Sequence, residues 1–205
     1  MSTHWPFLWT LALAFVATVA CSRALCDPTG PGPRGDEKRL CKAAITRFLD
    51  APTADSLTGI PRHGDECWSD LKTRQLQSLD ALVAGGNKFA VQLLAPHVRH
   101  LDGGELEDAL RAVGQFATHA MPDTVELCLS GALTEREFRD ALTMLPPGLE
   151  DNFTAQLAEL RARRAAIEEL KDSRAAELKN TATASIDAFI SEVERAQSAS
   201  EAQKR

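Results

Sequence analysis

Apolar side chains recur along this chain mainly at the three- and four-residue spacing of amphipathic helices, and the β-branched runs expected of strands are missing. Proline and glycine separate these stretches from one another. The pattern therefore predicts an all-α protein with about six helices between Glu37 and Leu145. The predicted segments are Glu37–Asp50, Asp65 to about Ala84, 87–101 with Pro96 as a kink or break, and helices that begin at Asp102, Pro122 and Thr134.

The helix starts at Asp102 and Thr134 share one signature at an offset of 32 positions. Thr134-x-x-Glu137 is a capping box, and Asp102-x-x-Glu105 is its aspartate variant. Because this period is the length of one helical hairpin, the sequence predicts stacked antiparallel helical hairpins, a short α-solenoid-like array over residues 37–150. The apolar positions that share the offset are Leu106 and Phe138, Leu110 and Leu142, and Val113 and Leu145.

A long C-terminal helix is predicted over residues 151–197, after the strong break at Pro146-Pro147-Gly148. Asp151 or Asn152 is expected to cap its start. Residues 198–205 carry little apolar content and are expected to form a disordered tail.

The second half of this helix carries a narrow apolar stripe. It is expected either to continue as an exposed arm or to break near Thr181-Ala182-Thr183. An exposed arm would pair with a second copy of the chain through residues 186–193. The stripe consists of Ile186, Phe189, Ile190 and Val193.

The N-terminus has the features of an export signal. Residues 7–20 are apolar residues and threonine, too short for a permanent membrane span of ~20 residues. Thr18-Val19-Ala20-Cys21 resembles a bacterial lipobox, which would place a lipid on Cys21, whereas the alternative cleavage removes residues 1–24 as a signal peptide. Residues 25–36 would form a Pro/Gly-rich tether. The predicted location is the cell envelope, as a periplasmic protein or outer-membrane lipoprotein, or the outside of the cell.

Either cleavage leaves four cysteines available for pairing, an even number that fits an oxidising compartment. A Cys41–Cys67 disulfide is expected because it closes a short loop between neighbouring helices. The remaining pair is Cys26–Cys128. The alternative is that these side chains are small buried apolar groups with free thiols.

Charge is distributed unevenly, because residues 101–150 contain ten acidic and three basic side chains and residues 151–205 contain ten and nine. This acidity disfavours nucleic acid as a partner and favours a basic protein. The alternative is a solvated face that only aids solubility. The candidate partner-binding residues are Glu105, Glu107, Asp108, Asp123, Glu126, Glu135 and Asp140.

The densest candidate ligand set is His97-x-x-His100 with Asp102 or Glu105, which would suit zinc and a metal-dependent hydrolase. The two carboxylates have a competing role as a helix cap. No motif for nucleophilic catalysis or nucleotide binding is present in the sequence. We therefore expect no enzyme, no metal and no cofactor.

The function that remains is protein–protein interaction by an exported helical module. One version is an inhibitor or immunity-type protein that covers a basic enzyme. Another is an envelope lipoprotein scaffold that self-associates through its C-terminal helix. Membrane contact is expected only through a lipid anchor at Cys21.

Overall fold

A computed structural model describes residues 34–60, 68 and 73–203, with side chains from Arg39 onward. Every regular element in this part of the chain is helical, which confirms the all-α class. The eight α-helices of the described residues are α1 Arg34–Asp50, α2 Ala54–Thr58, α3 Thr73–Ala84, α4 Lys88–Leu94, α5 Gly103–Leu129, α6 Glu135–Thr143, α7 Phe153–Glu168 and α8 Ala176–Gln203. Two 3-10 segments, η1 Ala95–His100 and η2 Ser173–Ala175, join them.

Helix α5 is the central element, because its buried side chains belong to both apolar clusters of the core. Its side chains from Ala109 to Phe116 belong to the first cluster, together with side chains of α1, α3, α4 and η1, and Ala117, Met121 and Val125 belong to the second, together with side chains of α6, α7 and α8. The helix bends at Ala120, whose φ of −140° and ψ of 52° are not helical, just before Pro122. The short helix predicted from Pro122 is therefore the second part of α5.

Helices α5 and α6 form an antiparallel hairpin whose backbones approach closely. Gly114 of α5 lies against the carbonyl of Ala141, while Arg111, one turn earlier, donates from Nε to the carbonyl of Leu145 at 3.0 Å. A Cβ atom at Gly114 would overlap the Ala141 oxygen and lie 2.8 Å from Arg163 Nη1. No side chain larger than that of glycine fits at this crossing of α5 and α6.

Arg163 of α7 fills the space beside this crossing and is 0% exposed. Its Nη1 donates to the carbonyls of Ala141, Leu142 and Met144 at 3.1, 3.0 and 2.8 Å. These are among the last carbonyls of α6, which have no partner within the helix. The side chain thus joins the C-terminal end of α6 to α7.

The 32-residue offset marks two helix starts but not a repeated structural unit. Asp102 and Thr134 are both N-cap residues, as predicted. Thr134 forms the full capping box with Glu137, at 3.2 and 2.7 Å, whereas the Asp102 side chain makes no cap hydrogen bond. The helices are 27 and 9 residues long, and Leu110 and Leu142 lie in different apolar clusters. The aspartate capping box was therefore wrong.

The long C-terminal helix is present, but it begins at Ala176 because the chain turns at residues 169–175. Asp172 accepts from the backbone N–H of Arg174 at 2.9 Å, and Lys179 donates to the carbonyl of Glu168 at 2.6 Å. These bonds end one helix and begin the next. The predicted break near Thr181 was wrong, and the helix runs to Gln203 where a disordered tail was expected.

Helices α7 and α8 form a second antiparallel hairpin, so the predicted exposed arm was wrong. Ile186 and Val193 are buried, and Phe189 and Ile190 pack against the same cluster. The stripe faces the body of its own chain. Self-association through residues 186–193 would require this hairpin to open.

The start of α7, the segment around Pro96 and the connection after Pro52 were also predicted from the sequence. Asn152 caps α7, accepting from the N–H of Ala155 at 3.0 Å, and residues 88–100 form one short α-helix and a 3-10 segment, as expected around Pro96. The connection after Pro52 was expected to be irregular but contains α2, started by a Thr53 capping box. Helix α2 buries no residue, so it left no apolar pattern in the sequence.

Candidate functional site

The structure divides the seven candidate acidic residues among three places. One group lies in the first turns of α5, a second lies beyond the bend of the same helix, and a third lies on α6. Sixteen residues of helix separate Glu107 from Asp123, a distance of roughly 24 Å before the bend is considered. The set therefore does not form one continuous patch. The three groups are Glu105, Glu107 and Asp108; Asp123 and Glu126; and Glu135 and Asp140.

The first group gains a fourth carboxylate, Asp80 of α3, which the sequence prediction missed. Its Oδ1 atom is buried and has no hydrogen-bond partner. Burial, together with the Asp108 and Glu105 carboxylates of α5, raises the pKa of Asp80 to about 7. We call Asp80, Glu105 and Asp108 the acidic cluster. Its members come from the two helices that pack along the first apolar cluster.

A sequence signal for Asp80 was available. It lies on the same turns of α3 as Leu76, Leu79 and Val83, which are buried. Positions at −4 and +3 from a residue lie on its side of a helix, so Asp80 borders the apolar face that contains Leu76 and Val83. A carboxylate beside an apolar face is costly when packing buries it without a partner, and such groups are candidates for functional residues.

The acidic cluster is only partly neutralised within the described residues. Arg111 donates from Nη1 to Asp108 at 2.8 Å, in an ion pair on one face of α5. Thr73 donates its hydroxyl to Glu105 at 3.3 Å. These contacts supply one cation for three carboxylates, so the cluster keeps an excess of negative charge.

The acidic residues of α6 are in a different situation because each already has a local partner. Glu135 lies 4.0 Å from Arg139, and Asp140 lies 3.6 Å from Arg136, both across one helical turn. Exposed pairs of this kind contribute little to stability, but they reduce the charge offered to a partner. Helix α6 is therefore the weaker candidate surface.

The second group, Asp123 and Glu126, lies beside a cavity of about 250 Å³ between α4 and the second half of α5. Lys88 lies on the opposite side of this cavity, and Arg174 contacts Glu126 at 3.1 Å. Glu126 is thus paired, and Asp123 shares the cavity lining with a lysine. The cavity residues are Lys88, Val91, Gln92, Asp123, Glu126, Leu127 and Ser130.

The histidines of the proposed ligand set lie near one another, and their rings pack against other aromatic rings. His97 stacks on Trp68, with ring centroids 3.6 Å apart, and its ring centroid is 6.4 Å from that of His100. The Trp68 contact was not predicted. Among residues 34–60, 68 and 73–203, no three histidine, cysteine or acidic side chains are arranged to hold a metal ion.

The cysteine predictions have separate outcomes. Cys128 carries a free thiol and donates from Sγ to the carbonyl of Thr134 at 3.6 Å, so the Cys26–Cys128 disulfide was wrong. Its thiol packs between the apolar clusters at the end of α5. Cys41 is buried in α1, but its predicted partner Cys67 lies outside the described residues. The Cys41–Cys67 disulfide stays a prediction.

The N-terminal predictions, including the signal peptide, the tether and lipidation of Cys21, fall outside the described residues. Within the described part, no helix is both long enough and apolar enough to cross a membrane. Comparison with known proteins found no matching family model, no matching curated protein and no matching solved structure.

Proposed function

We propose that this protein is an exported protein–protein interaction module of the cell envelope that binds a basic partner through the acidic cluster. The observation that carries the proposal is the crowding of Asp80, Glu105 and Asp108 beside one paired arginine, Arg111. The exposed Glu107 extends this charge toward solvent. The carboxylates of α6 and of the second half of α5 are secondary contacts in this proposal.

The physical reason is that the free protein holds these carboxylates in an unfavourable arrangement. Burial raises the cost of ionising Asp80, and the Asp108 and Glu105 carboxylates raise it further. A lysine or arginine of a partner would offset both effects. Carboxylates that are already paired would gain less from the same cation.

The concrete form of this proposal is an inhibitor or immunity-type protein that covers the basic surface of an enzyme. Such a protein acts by occupying its target and carries out no reaction of its own. The sequence supports export through residues 7–20 and leaves open a lipid anchor at Cys21. A scaffold built through residues 186–193 has less support, because that stripe packs inside its own chain.

The test is a pull-down from envelope extract with the chain immobilised at several salt concentrations. The site variant is Glu105→Gln/Glu107→Gln/Asp108→Asn, which removes charge but keeps side-chain size. The control variant is Glu177→Gln/Glu192→Gln/Glu201→Gln, which removes the same charge from exposed positions on α8. Captured proteins are identified by mass spectrometry, and their binding to the purified chain is then measured.

We expect the site variant to lose a basic partner that the control variant keeps. Binding of that partner should weaken steeply as salt rises, because the Debye length is about 8 Å at physiological ionic strength. If both variants retain the same partners with the same salt dependence, the acidic cluster is not the binding surface and this proposal fails.

A further inference from the structure

The outward face of α1 is basic, although the whole chain carries a net charge of −6. Cys41, Ala44, Ile45 and Phe48 point into the core. The exposed positions cover an arc of about 160° when residues are placed at 100° intervals. In order around the helix they are Lys42, Thr46, Arg39, Asp50, Ala43, Arg47 and Leu40. We call this arc the α1 face.

Within the described residues, the α1 face gathers three cations without an ion pair on one helix, whereas Lys88, Lys171 and Arg195, which also make none, lie on separate segments. Arg39, Lys42 and Arg47 make no ion pair with any residue that the structure describes. By contrast, each of the seven arginines from Arg111 to Arg174 contacts a carboxylate. The three cations of the α1 face are thus available to an anionic surface.

An apolar side chain accompanies these cations. Leu40 is 66% exposed and is the large hydrophobic residue that stands out as exposed among the described positions. It lies beside Arg47 at one edge of the α1 face. Basic residues next to an exposed apolar side chain are typical of helices that lie on a lipid surface, where cations meet phosphates and the apolar group enters the interface.

The position of α1 in the chain favours the same occupant. It follows the apolar residues 7–20 in sequence, and at most about 45 Å of extended chain lies between Cys21 and Arg34. If residues 7–20 or a lipid on Cys21 hold the N-terminus at a bilayer, α1 is the first element after them that the structure describes, and this length of chain lets it reach the headgroups. Nucleic acid would use the cations but has no need of Leu40.

We infer that the α1 face docks on an anionic phospholipid surface. Arg39, Lys42 and Arg47 contact the headgroup phosphates, and Leu40 enters the interface between headgroups and acyl chains. The contact is separate from the acidic cluster, which lies on α3 and α5. It does not depend on the proposed function, since a partner could bind the cluster whether or not α1 touches lipid.

The test uses the full chain and vesicles of phosphatidylcholine alone or with about one third phosphatidylglycerol, in a sedimentation assay. The measured quantity is the ratio of partition coefficients between anionic and neutral vesicles, so that apolar residues 7–20 contribute to both terms. The site variant is Arg39→Glu/Lys42→Glu/Arg47→Glu. The control variant, Lys88→Glu/Lys171→Glu/Arg195→Glu, makes the same charge change at exposed positions on other elements.

We expect the wild-type chain and the control to prefer anionic vesicles. Since each cation near such a surface contributes roughly a fivefold increase in binding, the site variant should lose roughly 100-fold in the ratio. Leu40→Ser should lower binding to anionic vesicles about tenfold. Circular dichroism checks that the exposed substitutions leave the helices intact.

Four outcomes would overturn the inference. The first is equal binding of the wild-type chain to both vesicle types, and the second is an equal loss in the site and control variants, which would make the effect one of net charge. Binding of duplex DNA that the site variant alone loses would assign the α1 face to polyanions in general. Sedimentation equilibrium showing a dimer that this variant dissociates would assign it to a second copy of the chain.

Discussion

Each of the three arginines of α7 lies against a carboxylate, whereas between α3 and α5 three carboxylates crowd beside a single arginine. Arg161 contacts Glu194 at 2.9 Å and Arg164 contacts Asp187 at 2.5 Å, so these pairs join the two helices of the hairpin. The comparison shows two uses of charge in one fold. Paired charges fix elements to one another, and unpaired charges remain available to something outside the chain.

Arg163 is a paired charge that is fully buried. Burial lowers the pKa of its guanidinium, and the Glu159 carboxylate at 3.0 Å opposes that effect. Asp80 is the extreme case of the second use, because its neighbours repel its charge and do not compensate it. Substitution of Arg163 and of Asp80 should therefore change the stability of the fold in opposite directions.

Replacing Arg163 by Met should cause the largest loss of stability. It leaves the carbonyls at the end of α6 without their donor and Glu159 without its cation. Removing one member of a buried ion pair lowers the free energy of unfolding by about 3–5 kcal/mol. Urea denaturation followed by circular dichroism measures the change.

Arg164→Met is the matched control, because Arg164 is the next residue of α7. It also forms ion pairs, with Glu168 of α7 and Asp187 of α8, but its side chain is partly exposed. Its effect should be much smaller, since solvent already screens those pairs. An equal loss in the two variants would show that burial of Arg163 is not what makes it important.

Replacing Asp80 by Asn should stabilise the fold at high pH and have little effect at low pH. The carboxyl titrates near 3.8 when unfolded and at about 7 when folded, so the folded state holds its proton more tightly. The cost of ionising it is absent below pH 4, grows between pH 4 and 7, and is complete above pH 7. After discounting for solvent screening of a partly exposed group, we expect a gain of about 1–2 kcal/mol at pH 8.

The measurement is the urea midpoint of both proteins at pH 5 and pH 8. The wild-type chain should be less stable at pH 8, and the variant should remove most of that difference. Asp151→Asn, at an exposed position before α7, serves as the control and should leave the difference unchanged. An Asp80→Asn variant that is less stable than the wild-type chain at pH 8 would contradict the predicted sign.

Cys128 should react slowly with alkylating reagents in the folded protein. Burial, with the Glu135 and Glu137 carboxylates, raises the pKa of its thiol to about 11. Compared with a thiol of pKa 9.0, its thiolate fraction at neutral pH is about 100-fold lower. Mass spectrometry after timed iodoacetamide treatment should show a rate that increases tenfold per pH unit up to about pH 10. Rapid labelling at pH 7 would place the thiol in solvent.

The helix starts could be predicted from the sequence because cap bonds join residues two to three positions apart. Asn87, Thr134 and Asn152 were all placed correctly, and each accepts from a backbone N–H within the next three residues. Asp102 was placed correctly as a start although its side chain makes no cap bond. Glu105, the expected second member of its capping box, accepts instead from Thr73 of α3.

The candidate site could be predicted only in part. Glu105, Glu107 and Asp108 were identified because they are close in sequence, but the grouping of all seven residues into one surface was not justified. Distance along a helix separates the second group, and local arginines neutralise the third. Asp80 was missed because its 28-residue separation from Asp108 becomes a contact only when α3 packs on α5.

Local sequence was enough to predict the helical class, the capped helix starts and the excess of acidic residues, since propensity, caps and composition act within a few positions of the chain. Tertiary structure decided which charges are paired. It folded the predicted C-terminal arm back as α8, buried Arg163 against the end of α6 and left Asp80 among other carboxylates. Electrostatic energy depends on distance and burial in space, which residues far apart in sequence acquire only through packing.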